Sequence, residues 1–344
     1  STDTHKVLLS GQGQQVSFAS GGAGSSQSRF ATLELAEGSG SSVRFVTPMV
    51  ALRLVSHGQA LQPFMLGLNW TLERDEVIQG NYHLAGGEIN LAGHSLTIKG
   101  ELLHSAGIMR LGGGRLLVEG DYRLQQRLET EGYAESTGQL VMTNDADYVL
   151  VQGDFVMQSR RSHDGQLTAG VLEVKGDFTQ LTTSYAESRM NFLSTDAHKV
   201  LLSGQGQQII TFASALSGFN TLMHANSEVL FNGYVRIVQP EQFQLLLKLG
   251  GEGQSSIVSA DEKLLCGSQC SAFYPRGEVV ILSTAMVRGD VFNGWPEPCT
   301  VVDEHCQITV DSRIALELSF APKPAKNRRK SKLMLMIVAG QANQ

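Results

Sequence analysis

Short runs of alternating apolar and polar residues recur along this chain at intervals. The clearest are Leu96-Thr-Ile-Lys-Gly100-Glu-Leu, Leu116-Leu-Val-Glu-Gly120-Asp-Tyr, Val149-Leu-Val-Gln-Gly153-Asp-Phe and Val171-Leu-Glu-Val-Lys-Gly176-Asp-Phe. A period of two puts alternate side chains on one face, so each run reads as a half-buried strand that ends at a glycine corner. The corner glycines fall at 80, 100, 120, 153, 176 and 204, with gaps of 20, 20, 33, 23 and 28 residues. Before most of them lies a second strand-like run, as in Gly87-Glu-Ile-Asn-Leu, Gly107-Ile-Met-Arg-Leu, Gly138-Gln-Leu-Val-Met and Gly165-Gln-Leu-Thr-Ala. Two strands and a variable third side in about 20–30 residues make one coil of a right-handed parallel β-solenoid, or β-helix. Its inward Leu, Ile and Val would stack on their counterparts ~4.8 Å away in the next coil. At each corner the glycine is expected to take a positive φ, and the following aromatic ring to re-enter the core. An antiparallel sandwich also turns every 8–12 residues or so. No Asn-Gly hairpin pair separates adjacent strands of these runs, which favours the solenoid. The prediction is an all-β chain.

A longer repeat overlies the short one. Ser1–Gln15 and Ser194–Gln208 agree at fourteen of fifteen positions, with Thr4 against Ala197 the one difference. The similarity returns at Phe30-Ala-Thr-Leu33 and Phe219-Asn-Thr-Leu222. A match of this length is a duplication, with an offset of 193 residues. A complete coil, Gly165–Leu193, precedes the second copy. The expectation is therefore that the gene product continues upstream of Ser1 with a similar segment, and that Ser1 is a cleavage boundary.

Composition agrees with a turn-rich β chain. Of 344 residues, 37 are glycine and only 8 proline, 42% are apolar and 17% charged. That excludes a collagen-like or mostly disordered chain. The net charge of −6 gives no whole-chain case for nucleic-acid binding. The charge is uneven, however. From Pro322 onward there are six basic residues and no acidic one, which leaves −12 on the rest. No apolar run approaches the ~20 residues of a membrane-spanning helix. Arg328, Arg329, Lys330 and Lys332 precede an apolar strand-like segment with Leu333, Leu335 and Ile337. That tail is the candidate assembly element: it could add a strand to the open sheet edge of a neighbouring copy, steered by charge, or fold back on its own chain. A homo-oligomer or head-to-tail filament is the expectation from the first arrangement.

All four cysteines, Cys266, Cys270, Cys299 and Cys306, lie in a stretch of different texture that starts near Gln242. Four cysteines allow three pairings. The short loops 266–270 and 299–306 are favoured, and each would stabilise by ~2 kcal/mol. A zinc site involving His305 is the rival, though the cysteine spacings are loose for one. Disulfides place a chain in an oxidising compartment, here secreted or on the cell surface. The order Leu265-Cys-Gly-Ser-Gln-Cys270, Glu278-Val-Val-Ile-Leu, Val291-Phe-Asn-Gly-Trp295, Cys299, Cys306 and Ile314-Ala-Leu-Glu-Leu-Ser-Phe320 resembles the small all-β bacterial surface module related to the internalin-type B repeat. The resemblance covers Gln242–Ala321 and implies an extracellular spacer or accessory module without catalysis. Asp147–Phe155, Leu167–Phe178 and His198–Gly204 are similar to repeats of large exported bacterial proteins. The chain thus divides into a solenoid over 1–241, a small stapled β-module over 242–321 and a basic tail over 322–344.

Candidate chemistry is sparse. Asp121, Asp154 and Asp177 stand in register, one per coil, as paired carboxylates of a polysaccharide-cleaving solenoid would. Recurrence in a repeated motif points instead to turn chemistry. Asp145 and Asp147 form a weak calcium candidate without the further ligands of a calcium loop. Asp3/His5 and Asp196/His198 read as turn residues rather than metal ligands, and Arg160-Arg161-Ser-His163 as a solvated basic loop. No nucleophile elbow, phosphate loop or zinc-protease helix occurs. The expected function is a non-catalytic extracellular structural or adhesive surface protein with no cofactor, for which a glycan or cell-surface molecule is the candidate ligand. A carbohydrate-binding or polysaccharide-cleaving β-helix, and the passenger or shell of a secreted toxin system, are the alternatives.

Overall fold

The computed structural model describes residues 5–11, 13–21, 27–36, 43–47, 51–55, 68–226 and 228–322. The candidate assembly tail, Arg328 to Ile337, lies outside the described residues. Among those described, the chain is all-β apart from one 3-10 turn at Ala186–Met190. No described helix is long and apolar enough to cross a membrane. Two compact units emerge. The first comprises Ser1–Leu245, Ser271–Val279 and Thr309–Ala315; the second comprises Leu246–Cys270, Val280–Ile308 and Leu316–Gln344.

The first unit is a parallel, repetitive, solenoid-like stack of strands. One sheet runs in chain order through Glu76–Ile78, Ser95–Ile98, Arg115–Val118, Tyr148–Val151, Val171–Val174, Lys199–Leu202 and Thr221–His224. Every neighbouring pair is parallel and in register: Leu96 faces Leu116, then Val149, Leu172, Val200 and Leu222. These partners are 20, 33, 23, 28 and 22 residues apart, so the glycine spacing does count coils. Alternation decides the faces: in the four strands from Ser95–Ile98 to Val171–Val174 the second and fourth residues are buried and the first and third are partly or fully exposed. Two aliphatic columns result, from Leu96 to Leu222 and from Ile78 to Leu202, each member contributing roughly 1.5–3 kcal/mol of burial.

A second parallel sheet runs through Leu68–Thr71, Tyr82–Asn90, Leu102–Arg110, Tyr122–Arg127, Phe155–Met157, Phe178–Gln180, Gln208–Phe212 and Val229–Asn232. Its inner column is Tyr82, Leu102, Tyr122, Phe155, Phe178 and Ile210. The rings after the corner glycines do enter the core. Tyr122 meets Phe155 edge-on at 5.4 Å, and Phe155 stacks on Phe178 at 5.1 Å.

Gly80 takes the positive φ expected of a corner glycine, 82°, but the corners after it serve a different purpose. Gly100, Gly120, Gly153 and Gly176 do not have positive φ. Instead each corner lies against the one before it: the Gly120 amide donates to Gly100 O at 3.0 Å, Gly153 to Gly120 at 3.1 Å and Gly176 to Gly153 at 2.9 Å. A Cβ on Gly153 would sit 2.8 Å from the Gly120 carbonyl carbon. Close backbone approach, not left-handed conformation, excludes a side chain there.

The coil from Leu116 to Val149 is the longest of these. Its excess is taken up by an antiparallel hairpin, in which Gln125–Arg127 pair with Tyr133–Glu135. The strands on either side keep the same register as in the 20-residue coil before it.

The second unit contains antiparallel strands, with Ser256–Ser259 pairing both Leu265–Cys266 and the segment Leu282–Ala285. Disulfides join Cys266 to Cys270 and Cys299 to Cys306. Phe292 packs on Phe320 at 5.2 Å and on Trp295 at 4.8 Å, and the Trp295 indole N–H donates to Glu304 O at 3.0 Å. Asp290 Oδ2 accepts from the Gln254 and Ser255 amides and the Ser255 hydroxyl. The Phe-x-Gly-Trp segment and the terminal Phe320 thus form one aromatic clasp.

Candidate functional site

The in-register acids are the first place to look for chemistry. Asp121 Oδ1 accepts the Asp154 amide, Asp154 Oδ1 the Asp177 amide, and Asp177 Oδ1 the Ile209 amide, each at 2.8 Å. Asn81 holds the Glu101 amide in the same way at 2.9 Å. Each side chain therefore grips the next coil, and the other oxygen of Asp121 takes Arg123 at 2.6 Å. Asp147 is buried, with one oxygen on the Gly113 amide and the other on those of Thr143 and Asn144. Asp145 is exposed. Among the described residues no group of three or more His, Cys, Asp or Glu side chains is placed to hold a metal ion.

The histidines divide sharply. His5 is exposed, whereas its duplicate His198 is fully buried with Nδ1 2.8 Å from Ser194 Oγ. His104 donates from Nε2 to Gly107 O at 3.1 Å, which leaves Nδ1 to accept from Tyr122 OH at 3.0 Å. The basic loop at 160–163 is not simply solvated. His163 is buried and accepts the Leu140 amide, while Arg160 pairs with Glu135 at 2.9 Å and lies over the Tyr185 ring. Burial lowers the pKa of His104 to about 4 and those of His163 and His198 to about 3.

One constellation has no counterpart in the repeat. The inner column Ile98, Val118, Val151, Val174, Leu202 is aliphatic until its last member, His224. In the first copy of the duplication the matching position is Leu35, which faces Leu9 as His224 faces Leu202. The His224 ring is stacked on Phe243 at 4.7 Å, and its Nε2 lies 3.0 Å from Glu241 Oε1. The second Glu241 oxygen takes Arg276 at 3.2 Å, and Glu241 O accepts the Arg276 amide at 2.8 Å. Burial holds the His224 pKa below its ordinary value, against the pull of Glu241.

These side chains wall a cavity of about 250 Å³ within the first unit. Phe231 and Val229 line its apolar side; Asp311, Ser312 and Arg313 complete the lining. Asn226 is already committed, donating to Gly206 O and Gln208 Oε1. Arg313 is not: its Nε is buried without a hydrogen-bond partner. A wider depression of about 610 Å³ contains Arg53, Glu73 and Glu88, but its charges are paired, Arg53 with Glu73 and Glu88 with Arg110.

Sequence reasoning did not find this cavity. Its walls come from three separated stretches, near 224–243, at 276 and at 311–313, and no local motif links them. The available signal was the loss of a leucine between the two copies. No family model, curated protein or solved structure matches the chain.

Proposed function

We propose that this chain is a non-catalytic, extracellular structural or adhesive protein of a bacterial surface, its first unit a right-handed parallel β-solenoid. The observation that carries the reading is the corner ladder. The carboxylates that stand in register, where a polysaccharide-cleaving enzyme would keep its acid and base, each hold a backbone amide of the following coil. The two disulfides support an oxidising compartment. The resemblance of Gln242–Ala321 to the internalin-type B repeat supports a bacterial surface. The basic, then apolar, tail supports head-to-tail assembly by strand addition to a neighbouring copy.

Electron microscopy of the full chain and of a chain lacking residues 323–344 tests the assembly. Filaments that disappear on truncation, and weaken as salt rises, are the expected result. Filaments unchanged by truncation would reject the tail as the connector. Release of products from polyuronates or other polysaccharides by the purified chain would overturn the non-catalytic reading.

A further inference from the structure

We propose that the cavity beside His224 is a binding site for a carboxylate-bearing sugar ring. This goes beyond the scaffold reading and does not depend on it, since a scaffold can assemble with or without such a site. Size comes first. At about 250 Å³ the cavity falls below the roughly 300–1,000 Å³ typical of drug-sized ligands, so it suits one ring rather than a chain.

Charge comes second. Arg313 lines the cavity, and its Nε is buried without a hydrogen-bond partner, so this side chain carries an unmet charged donor. The nearby carboxylate Glu241 does not meet that need, because its two oxygens hold His224 and Arg276. A ligand carboxylate answers an open guanidinium with charge-assisted hydrogen bonds.

The rest of the wall selects for hydroxyls and a flat apolar face. Asp311 and Ser312 precede Arg313 on the same loop and offer a carboxylate acceptor and a hydroxyl. Asp311 repels a purely anionic ligand but accepts from ring hydroxyls. Phe231, 42% exposed, and Val229 supply the apolar side against which the C–H face of a sugar packs. His224, held between Glu241 and the Phe243 ring, fixes the floor at the one column position where leucine has been replaced.

The test uses the full chain and two small probes that differ only in the carboxylate, methyl glucuronide and methyl glucoside. Binding is read by saturation-transfer NMR and titration calorimetry. The glucuronide is expected to bind at least tenfold more tightly than the glucoside. Arg313→Gln should abolish that preference. Phe231→Ala should weaken both sugars together and keep their ratio, which covers the case in which Arg313→Gln fails to fold. Equal binding of the two sugars, binding of neither, or an Arg313→Gln protein that keeps the preference would overturn the proposal. So would equally tight binding of N-acetylphenylalanine, which carries a carboxylate and no hydroxyls and would mark a peptide site.

Discussion

The two copies of the duplication carry nearly the same residues in unequal surroundings. In the first, Lys6–Leu9 pairs with Phe30–Leu35, with Val7 opposite Leu33; in the second, Lys199–Leu202 pairs with Thr221–His224, with Val200 opposite Leu222. The register is the same. What differs is what each copy touches. Gly204 and His198 are enclosed by neighbouring coils, whereas Gly11 and His5 have room around them or are exposed. The comparison teaches that strand pairing follows from the local run, while burial follows from the stack.

Substitutions at matched positions can break that comparison. The largest effect is expected at the corner. A Cβ on Gly204 would collide with the Lys175 carbonyl oxygen, while one on Gly11 meets only the flexible Gln14 side chain, at 3.1 Å. Gly204→Ala should cost about 3 kcal/mol in denaturant unfolding and Gly11→Ala no more than about 1 kcal/mol. Equal costs would mean that the corner is not close-packed.

Next comes the column position. Leu35→His buries an imidazole without the Glu241 and Phe243 that receive His224, and should cost about 2–3 kcal/mol. The reciprocal His224→Leu leaves Glu241 with Arg276 and should change stability by no more than about 1 kcal/mol. Thermal melts of the pair measure both.

Acid supplies the third. His104, His163 and His198 are neutral in the fold, with pKa values of about 4, 3 and 3 against 6.5 when unfolded. Below pH 6.5 the unfolded chain binds more protons than the folded one. Stability is therefore full above pH 6.5 and declines as pH falls toward 4 and then 3, by at most about 1.4 kcal/mol per pH unit for each histidine. His198→Gln should flatten that decline, as read from unfolding curves between pH 7 and 4.

The smallest effect belongs to the surface. Lys6 pairs with Glu34 at 2.5 Å, and the second copy has Met223 at the position of Glu34. Glu34→Met should shift stability by less than about 1 kcal/mol.

The coil count was legible in the sequence because it depends on residues adjacent in the chain, a glycine with its flanking strand and ring. Leu96, Leu116 and Val149 stack as their spacing implies. The reason for the glycines after Gly80 was not legible, since the atoms that exclude a side chain at Gly153 belong to Gly120 and Asp121, a full coil earlier. The loop at 160–163 was misread for the same cause: Leu140 and Glu135, which receive His163 and Arg160, lie more than twenty residues away. The cavity required loops from Arg276 and Asp311–Arg313 that no periodicity announces.

The hairpin at Gln125–Glu135 carries a consequence for how such a chain changes over generations. Because the extra residues leave between one coil's strands and return before the next, neither neighbour alters its pairing. Length at that side is independent of address along the stack. Insertions there add a new outward-facing feature while every older contact keeps its partner, so the chain can be edited one coil at a time.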